Sequence, residues 1–189
     1  VAISANNYRL NGLYEPRSGN TGQPLGFDQM MVFYDHYCVV KADYKITFMG
    51  TTPTDPDSTV LGPEQNLTCT CFAVLIDSSG ALSSASMEKV LEQADCKWGV
   101  IGAANGGAPQ HVITGTVNPP QWLGRQQGTS LNDSTLRGTV STNPSELLDL
   151  KVGIGPMNNT DQTQSVNFII TITYHVVFME PKTLQQSTI

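Results

Sequence analysis

The sequence predicts an all-β domain, an eight-stranded antiparallel β-sandwich, on three observations. Apolar residues recur at every second position in several long runs. Clusters of Gly, Pro, Asn, Asp and Ser bound those runs. Helical spacing is confined to short stretches between them. At 189 residues the chain has the size of one domain. Residues 1–189 are therefore read as a single unit, long enough to bury a core without metal or disulfide.

The strands follow in order. The first spans Asn6 to Leu13. The second spans Cys38 to Met49, where Val40, Ala42, Tyr44, Ile46 and Phe48 alternate with Val39, Lys41, Asp43, Lys45 and Thr47. One apolar and one polar face is the pattern of a half-buried strand. The Pro- and Asp-rich stretch after Gly50 breaks it. The third strand runs from Leu67 to Ile76, the fourth from Cys96 to Ala103 and the fifth from His111 to Val117, stopped by Pro119-Pro120. A sixth is placed at Thr135 to Val140 and a seventh at Leu147 to Ile154. The eighth, Val166 to Phe178, alternates longest and spans about 43 Å at 3.3 Å per residue.

Two short helices interrupt the strands. Phe27 to Tyr37 places Phe27, Met30, Met31, Tyr34 and Tyr37 at helical spacing, with Asp28 near its start. Met87 to Gln93 follows Ser86, a candidate N-cap. A single turn is expected at Pro120 to Leu123. No repeat of solenoid or propeller length is visible, and strands do not alternate with regular helices. Eight strands in two sheets, with short helices in the connections, fit a jelly roll best.

Composition narrows the function. Ten Lys+Arg against sixteen Asp+Glu leave a net charge of −6, so this segment does not bind nucleic acid through net charge alone. Charged residues make up only 14%. No apolar run reaches the roughly 18 residues of a membrane span, so no membrane insertion is expected. A basic n-region followed by an apolar stretch is absent at the start. The chain begins at Val1 rather than Met, which raises the expectation of an upstream segment.

Catalytic motifs are not found: no GxGxxG, no phosphate-binding GxxxxGK[ST] and no GxSxG. No enzyme and no cofactor is expected. Cys38, Cys69, Cys71 and Cys96 read as buried reduced thiols. His36, His111 and His175 lack metal-ligand spacing and read as structural or solvated. Asp55 and Asp57, with Asp77 elsewhere, are weak calcium candidates, set against a solvated turn. Trp98 reads as core, and Trp122 as a plug at the end of the sandwich. The sequons at Asn66, Asn132 and Asn158 are as frequent as chance gives.

Several blocks go beyond composition. Tyr8-Arg-Leu-Asn-Gly-Leu-Tyr-Glu-Pro16 is followed by Gly22-Gln-Pro-Leu-Gly-Phe-Asp-Gln29 and then by Tyr34-Asp-His-Tyr37. His111 to Val117 with Trp122-Leu-Gly124, Ser141 to Pro144, and Ile170 to Lys182 continue the series. Together they resemble the capsid proteins of small circular single-stranded DNA viruses that encode a replication initiator. The same single jelly roll is implied for satellite and nodavirus-like coats. The resemblance implies a homo-oligomeric icosahedral shell around a small single-stranded DNA genome, located in the virion and assembled in the host nucleus or cytoplasm.

It also implies an Arg/Lys-rich N-terminal arm, which this sequence lacks, so a basic arm is expected before Val1. The host receptor is not indicated. Arg9, Arg17, Lys41 and Lys45 are the candidate nucleic-acid-facing residues, with solubilising roles as the alternative. The long linkers Ser18 to Pro24, Thr51 to Gln65, Gly102 to Gln110 and Gly124 to Asp133 are candidate intersubunit or outer loops. Two other readings compete: a secreted jelly-roll carbohydrate-binding or trimeric recognition module, and a cupin-like enzyme, which the scattered histidines disfavour.

Overall fold

A computed structural model describes residues 3–19, 22–50, 68–78, 82, 86–102, 110–126, 130–156 and 166–183. Among them, seven strands form two antiparallel sheets. They are β1 (Ser4–Arg9), β2 (Tyr34–Gly50), β3 (Cys69–Asp77), β4 (Cys96–Ile101), β5 (Gln110–Val117), β6 (Leu148–Pro156) and β7 (Val166–Pro181). The first sheet has the order β1-β6-β3-β4 and the second β5-β2-β7. The pairs β1–β6, β2–β5 and β3–β4 are nested one inside the other, and β3–β6 and β2–β7 join them into sheets. That rolled-up nesting is the connectivity of a jelly roll.

The core lies where the alternation placed it. Ala42, Tyr44, Ile46 and Phe48 of β2 are buried against Cys69, Cys71 and Ala73 of β3 and Leu148, Leu150 and Val152 of β6. A bulge between Val39 and Lys41 shifts the β2–β7 register. The extra residue moves Val40 off the expected inner face and puts Tyr37 and Val39 there instead, each fully buried. Leu13, Phe27 and Met31 complete that second cluster, which shares Tyr174 with the main core.

Three short helices close the open sides: α1 (Phe27–Met31), α2 (Met87–Leu91) and α3 (Pro119–Trp122). Met87 and Val90 of α2 lie on Phe72, Val74 and Ile76, sealing the outer face of β3. The Ser86 side chain caps α2 by accepting from the Lys89 N–H at 3.4 Å, as the sequence predicts.

Three expectations need correction. The helix placed over Phe27 to Tyr37 ends at Met31, because from Tyr34 onward the chain pairs with β7 as strand. The strand placed at Thr135 to Val140 is instead a 3-10 turn, Ser134–Leu136, capped by the Asp133 side chain. Only an isolated bridge, Gly138 with Tyr37, remains of it. Trp98 is 54% exposed on β4 rather than in the core. Trp122, by contrast, packs against the core and donates its indole N–H to Asp95 at 2.8 Å.

One position tests the packing directly. Gly115 of β5 faces Tyr44 of β2, whose ring lies where a Cβ would go. A Gly115→Ala change must displace that buried ring. It should lower stability by roughly 1–3 kcal/mol, read as a shifted urea midpoint with an unchanged m-value.

Candidate functional site

The residues that carry the resemblance converge on one corner of the sandwich. The Tyr37 hydroxyl accepts from the Leu13 N–H at 3.0 Å and donates to Asn143 Oδ1 at 3.4 Å. The same Asn143 oxygen accepts from the Tyr14 N–H at 3.1 Å. Phe27 stands edge-on to the Tyr37 ring, with centroids 5.4 Å apart. Asn11, 2% exposed, donates to the Glu146 carbonyl and accepts from the Leu148 N–H. Segments far apart in sequence are thus tied together by buried polar groups, each with a partner. Burial raises the Tyr37 hydroxyl to about 12, keeping it neutral and able to donate.

The four candidate nucleic-acid-facing residues do not form one patch. Arg9 pairs with Glu15 at 2.9 Å and also donates to the Glu15 carbonyl. Arg17 is exposed beside β1 and donates to Asn6 Oδ1 at 3.0 Å. Lys41 and Lys45 share the outer face of β2, as their spacing predicts. Lys41 is tied to Asp43 at 3.0 Å, whereas Lys45 is exposed with no carboxylate partner among the described residues.

Around Asp43 lies a cluster that the separate strands did not reveal. Thr116 of β5 and His175 of β7 both reach its carboxylate, together with Lys41. The Thr116 hydroxyl, then Lys41 and His175, hold the Asp43 carboxyl far below its usual range. Each residue sat on the polar face of its own strand. Only the register, Asp43 opposite both Thr116 and Thr173, brings them together.

A second charged cluster sits at the far end of the same sheet. Glu180 accepts from Arg137 at 2.8 Å and pairs with His36 Nδ1 at 2.9 Å. Its φ of 58° lies in the left-handed region, unusual for a residue with a side chain. Arg137 and His36 together fix the carboxylate of that strained residue.

Asp55 and Asp57 lie outside the described residues, as do the sequons at Asn66 and Asn158 and most of the linkers Thr51 to Gln65 and Gly102 to Gln110. Among the described residues no group of three His, Cys, Asp or Glu is placed to hold a metal. No helix there is long and apolar enough to cross a membrane. The four cysteines are free thiols. Burial raises Cys71 and Cys96 to about 11, so neither is a nucleophile at neutral pH.

Besides Val140 and Ile169, exposed large apolar side chains among the described residues fall in two groups. Leu25, Met30, Val32 and Phe33 surround α1, and Trp98, Val100 and Val112 lie along β4 and β5. Clusters of this kind mark contact surfaces.

No family model matches the chain. No curated protein matches it either. The fold is similar to a chain in the solved structure of Desmodium yellow mottle tymovirus, with a TM-score of 0.42 and 13% identity, over 99% of this chain and 82% of that one. A chain of sacbrood virus of honeybee in its expansion state II is similar with a TM-score of 0.40 and 8% identity, over 97% of each.

The Asp43 cluster has a pH consequence. A carboxyl whose pKa is lower in the folded state stabilises above its ordinary value of 3.8, and that contribution is lost as pH falls through the folded value. Asp133, lowered by Thr135 and Arg125, acts in the same sense. The urea midpoint should therefore decline below about pH 4, and Asp43→Asn should flatten part of that decline. An acid limb unchanged in Asp43→Asn would contradict the assignment.

Proposed function

We propose that this chain is the shell domain of a viral capsid protein. Many identical copies close an icosahedral shell around a small single-stranded DNA genome, and the subunit resides in the virion. The observation that carries this reading is the corner built by Leu13, Tyr14, Phe27, Tyr37 and Asn143. These residues belong to the sequence blocks that resemble such coat proteins. Three separate blocks share hydrogen bonds there and a fourth packs its Phe27 ring against Tyr37, as expected if they are a structural unit rather than chance matches.

The physics of the surface supports the same role. A tile acts by geometry: it needs a rigid wedge and edges that bury against copies of itself. Interface cores are depleted in charge, and only 14% of this chain is charged. The exposed apolar groups around α1 offer area for such burial. With a net charge of −6 the domain itself repels a polyanion. Packaging in this reading therefore falls to a basic arm ahead of Val1, aided by Lys45, Lys41, Arg9 and Arg17.

Two experiments test the reading. Full-length protein should form closed particles visible by electron microscopy, enclosing nucleic acid that DNase and not RNase destroys after extraction. The double change Val32→Glu and Phe33→Glu should abolish particles while leaving the far-ultraviolet circular dichroism and melting temperature of the subunit intact. Protein that stays monomeric at every salt and pH would overturn the proposal.

The second experiment reverses charge at Lys41→Glu and Lys45→Glu. Particles of the double variant should carry measurably less nucleic acid, read from the absorbance ratio at 260 and 280 nm. Unchanged content would remove this sheet face from genome contact.

A further inference from the structure

Where β5 runs into α3, the end of the sandwich carries two depressions that share one wall. The first, of about 400 Å³, is lined by Thr116, Val117, Asn118, Gln121 and Trp122. The second, of about 570 Å³, is lined by Trp122 again, with Asp77, Ser78, Ser145 and Glu146 among its walls.

Trp122 is set there by the chain around it. Pro119 and Pro120 are buried and start α3, where the first turn needs no N–H from either. The Trp122 backbone N–H then donates to the Asn118 carbonyl at 2.9 Å. The indole packs against the main core yet stays half-buried. Its ring N–H donates to Asp95 at 2.8 Å, and Asp95 stands in the turn between α2 and β4 at a φ of 61°. The ring is therefore held by packing and by a hydrogen bond, in front of open space. An indole fixed in that way is a stacking platform that costs little conformational entropy to use.

The polar groups left over around it are mixed donors and acceptors. Asn118 Nδ2 donates to Gln121 Oε1 at 3.4 Å. That leaves Asn118 Oδ1 as an acceptor and Gln121 Nε2 as a donor, neither with another partner among the described residues. Asp95 accepts the indole N–H on Oδ2, so Oδ1 remains to accept a second bond. Thr116 gives its hydroxyl proton to Asp43 and keeps its oxygen as an acceptor. Sugar hydroxyls, each a donor and an acceptor at once, match such a set, and the C–H face of a pyranose matches the indole.

Charge decides against the other ligands that stack on tryptophan. Lys97 donates to the Thr114 carbonyl at 2.7 Å, and Arg125 is paired with Asp133 and Glu146, each at 2.8 Å. Asp77, Asp95 and Glu146 make the surroundings acidic. A phosphate, a sulfate or a sialic acid meets repulsion there, and so does a nucleobase that brings its phosphate with it.

We infer that this end of the sandwich is a binding site for a neutral carbohydrate. One sugar ring stacks on Trp122 and shares its hydroxyls among Gln121, Asn118 and Asp95. The depression beside Asp77 and Glu146 takes the next ring of an oligosaccharide. Sugar binding at this place is independent of the shell reading, since it uses neither α1 nor the lysines of β2.

Saturation-transfer NMR on the full-length protein tests the site. Lactose, maltose, methyl α-mannoside and diacetylchitobiose are the neutral probes, and sialyllactose is the acidic one. At least one neutral probe should show saturable transfer, and should shift tryptophan emission in a Trp98→Phe background, where Trp122 is the one indole left. Trp122→Ala should weaken that binding at least about tenfold, the loss of one stacked ring. Gln121 is exposed, so Gln121→Ala should keep the melting temperature and weaken binding by about three- to tenfold, the loss of one hydrogen bond. Sialyllactose should bind no better than lactose. Absence of transfer to every neutral probe would overturn the assignment. So would tighter binding of sialyllactose than of lactose, or binding that Gln121→Ala leaves unchanged; the last holds even where Trp122→Ala does not fold.

Discussion

The structure depends on one face of β2. Ala42, Tyr44, Ile46 and Phe48 are shut away from water, while the residues between them stand on the outer surface. A shift of one residue would exchange these two sets, so the register with β5 and β7 is set by burial and not by the ladder alone. Two buried phenyl and phenol rings in that row account for several kilocalories of transfer energy, at about 1.5–3 kcal/mol for each large apolar side chain. The bulge at Val40 is a local exception with a purpose. It turns Tyr37 and Val39 inward, and without that turn the Tyr37 hydroxyl would not reach Leu13 and Asn143.

Rigidity at the corner follows from that turn. Tyr37, Asn11, Asn143 and Tyr174 are polar groups placed where water is largely absent, and such groups stabilise only when their partners are in position. Each joins backbone from β1 or the turn after it to a distant segment: Tyr174 to Arg9, Asn11 to Leu148, Asn143 to Tyr14. The result is a sandwich whose first strand, second strand and the approach to β6 move together.

Much of this was legible in the sequence because strand periodicity is written in single residues. The alternation from Ala42 to Phe48 and from Phe168 to Phe178 identified both long strands and their inner faces. The end of α1 was not legible, because Tyr34 and Tyr37 satisfy helical spacing from Phe27 and also begin a strand. Tertiary pairing with β7 decides between the two. The strand expected at Thr135 to Val140 does not form, because the Asp133 cap turns Ser134–Leu136 into a 3-10 turn that buries Leu136. Trp98 was misplaced because β4 is an edge strand whose outer face α2 covers only in part. The Asp43 cluster needed the register of three strands, which no single-strand pattern contains.

Charge ties these points to function. The outer face of the three-stranded sheet carries Lys41, Lys45 and His175, yet Asp43 at its centre neutralises Lys41 and engages His175. Net positive potential there comes down to Lys45. A single exposed lysine interacts weakly with a phosphate backbone at physiological salt, since counterion release scales with the number of phosphates neutralised. A sheet arranged this way contributes one free cation among the described residues, too little to hold a polyanion by itself. The domain alone has little affinity for a polyanion.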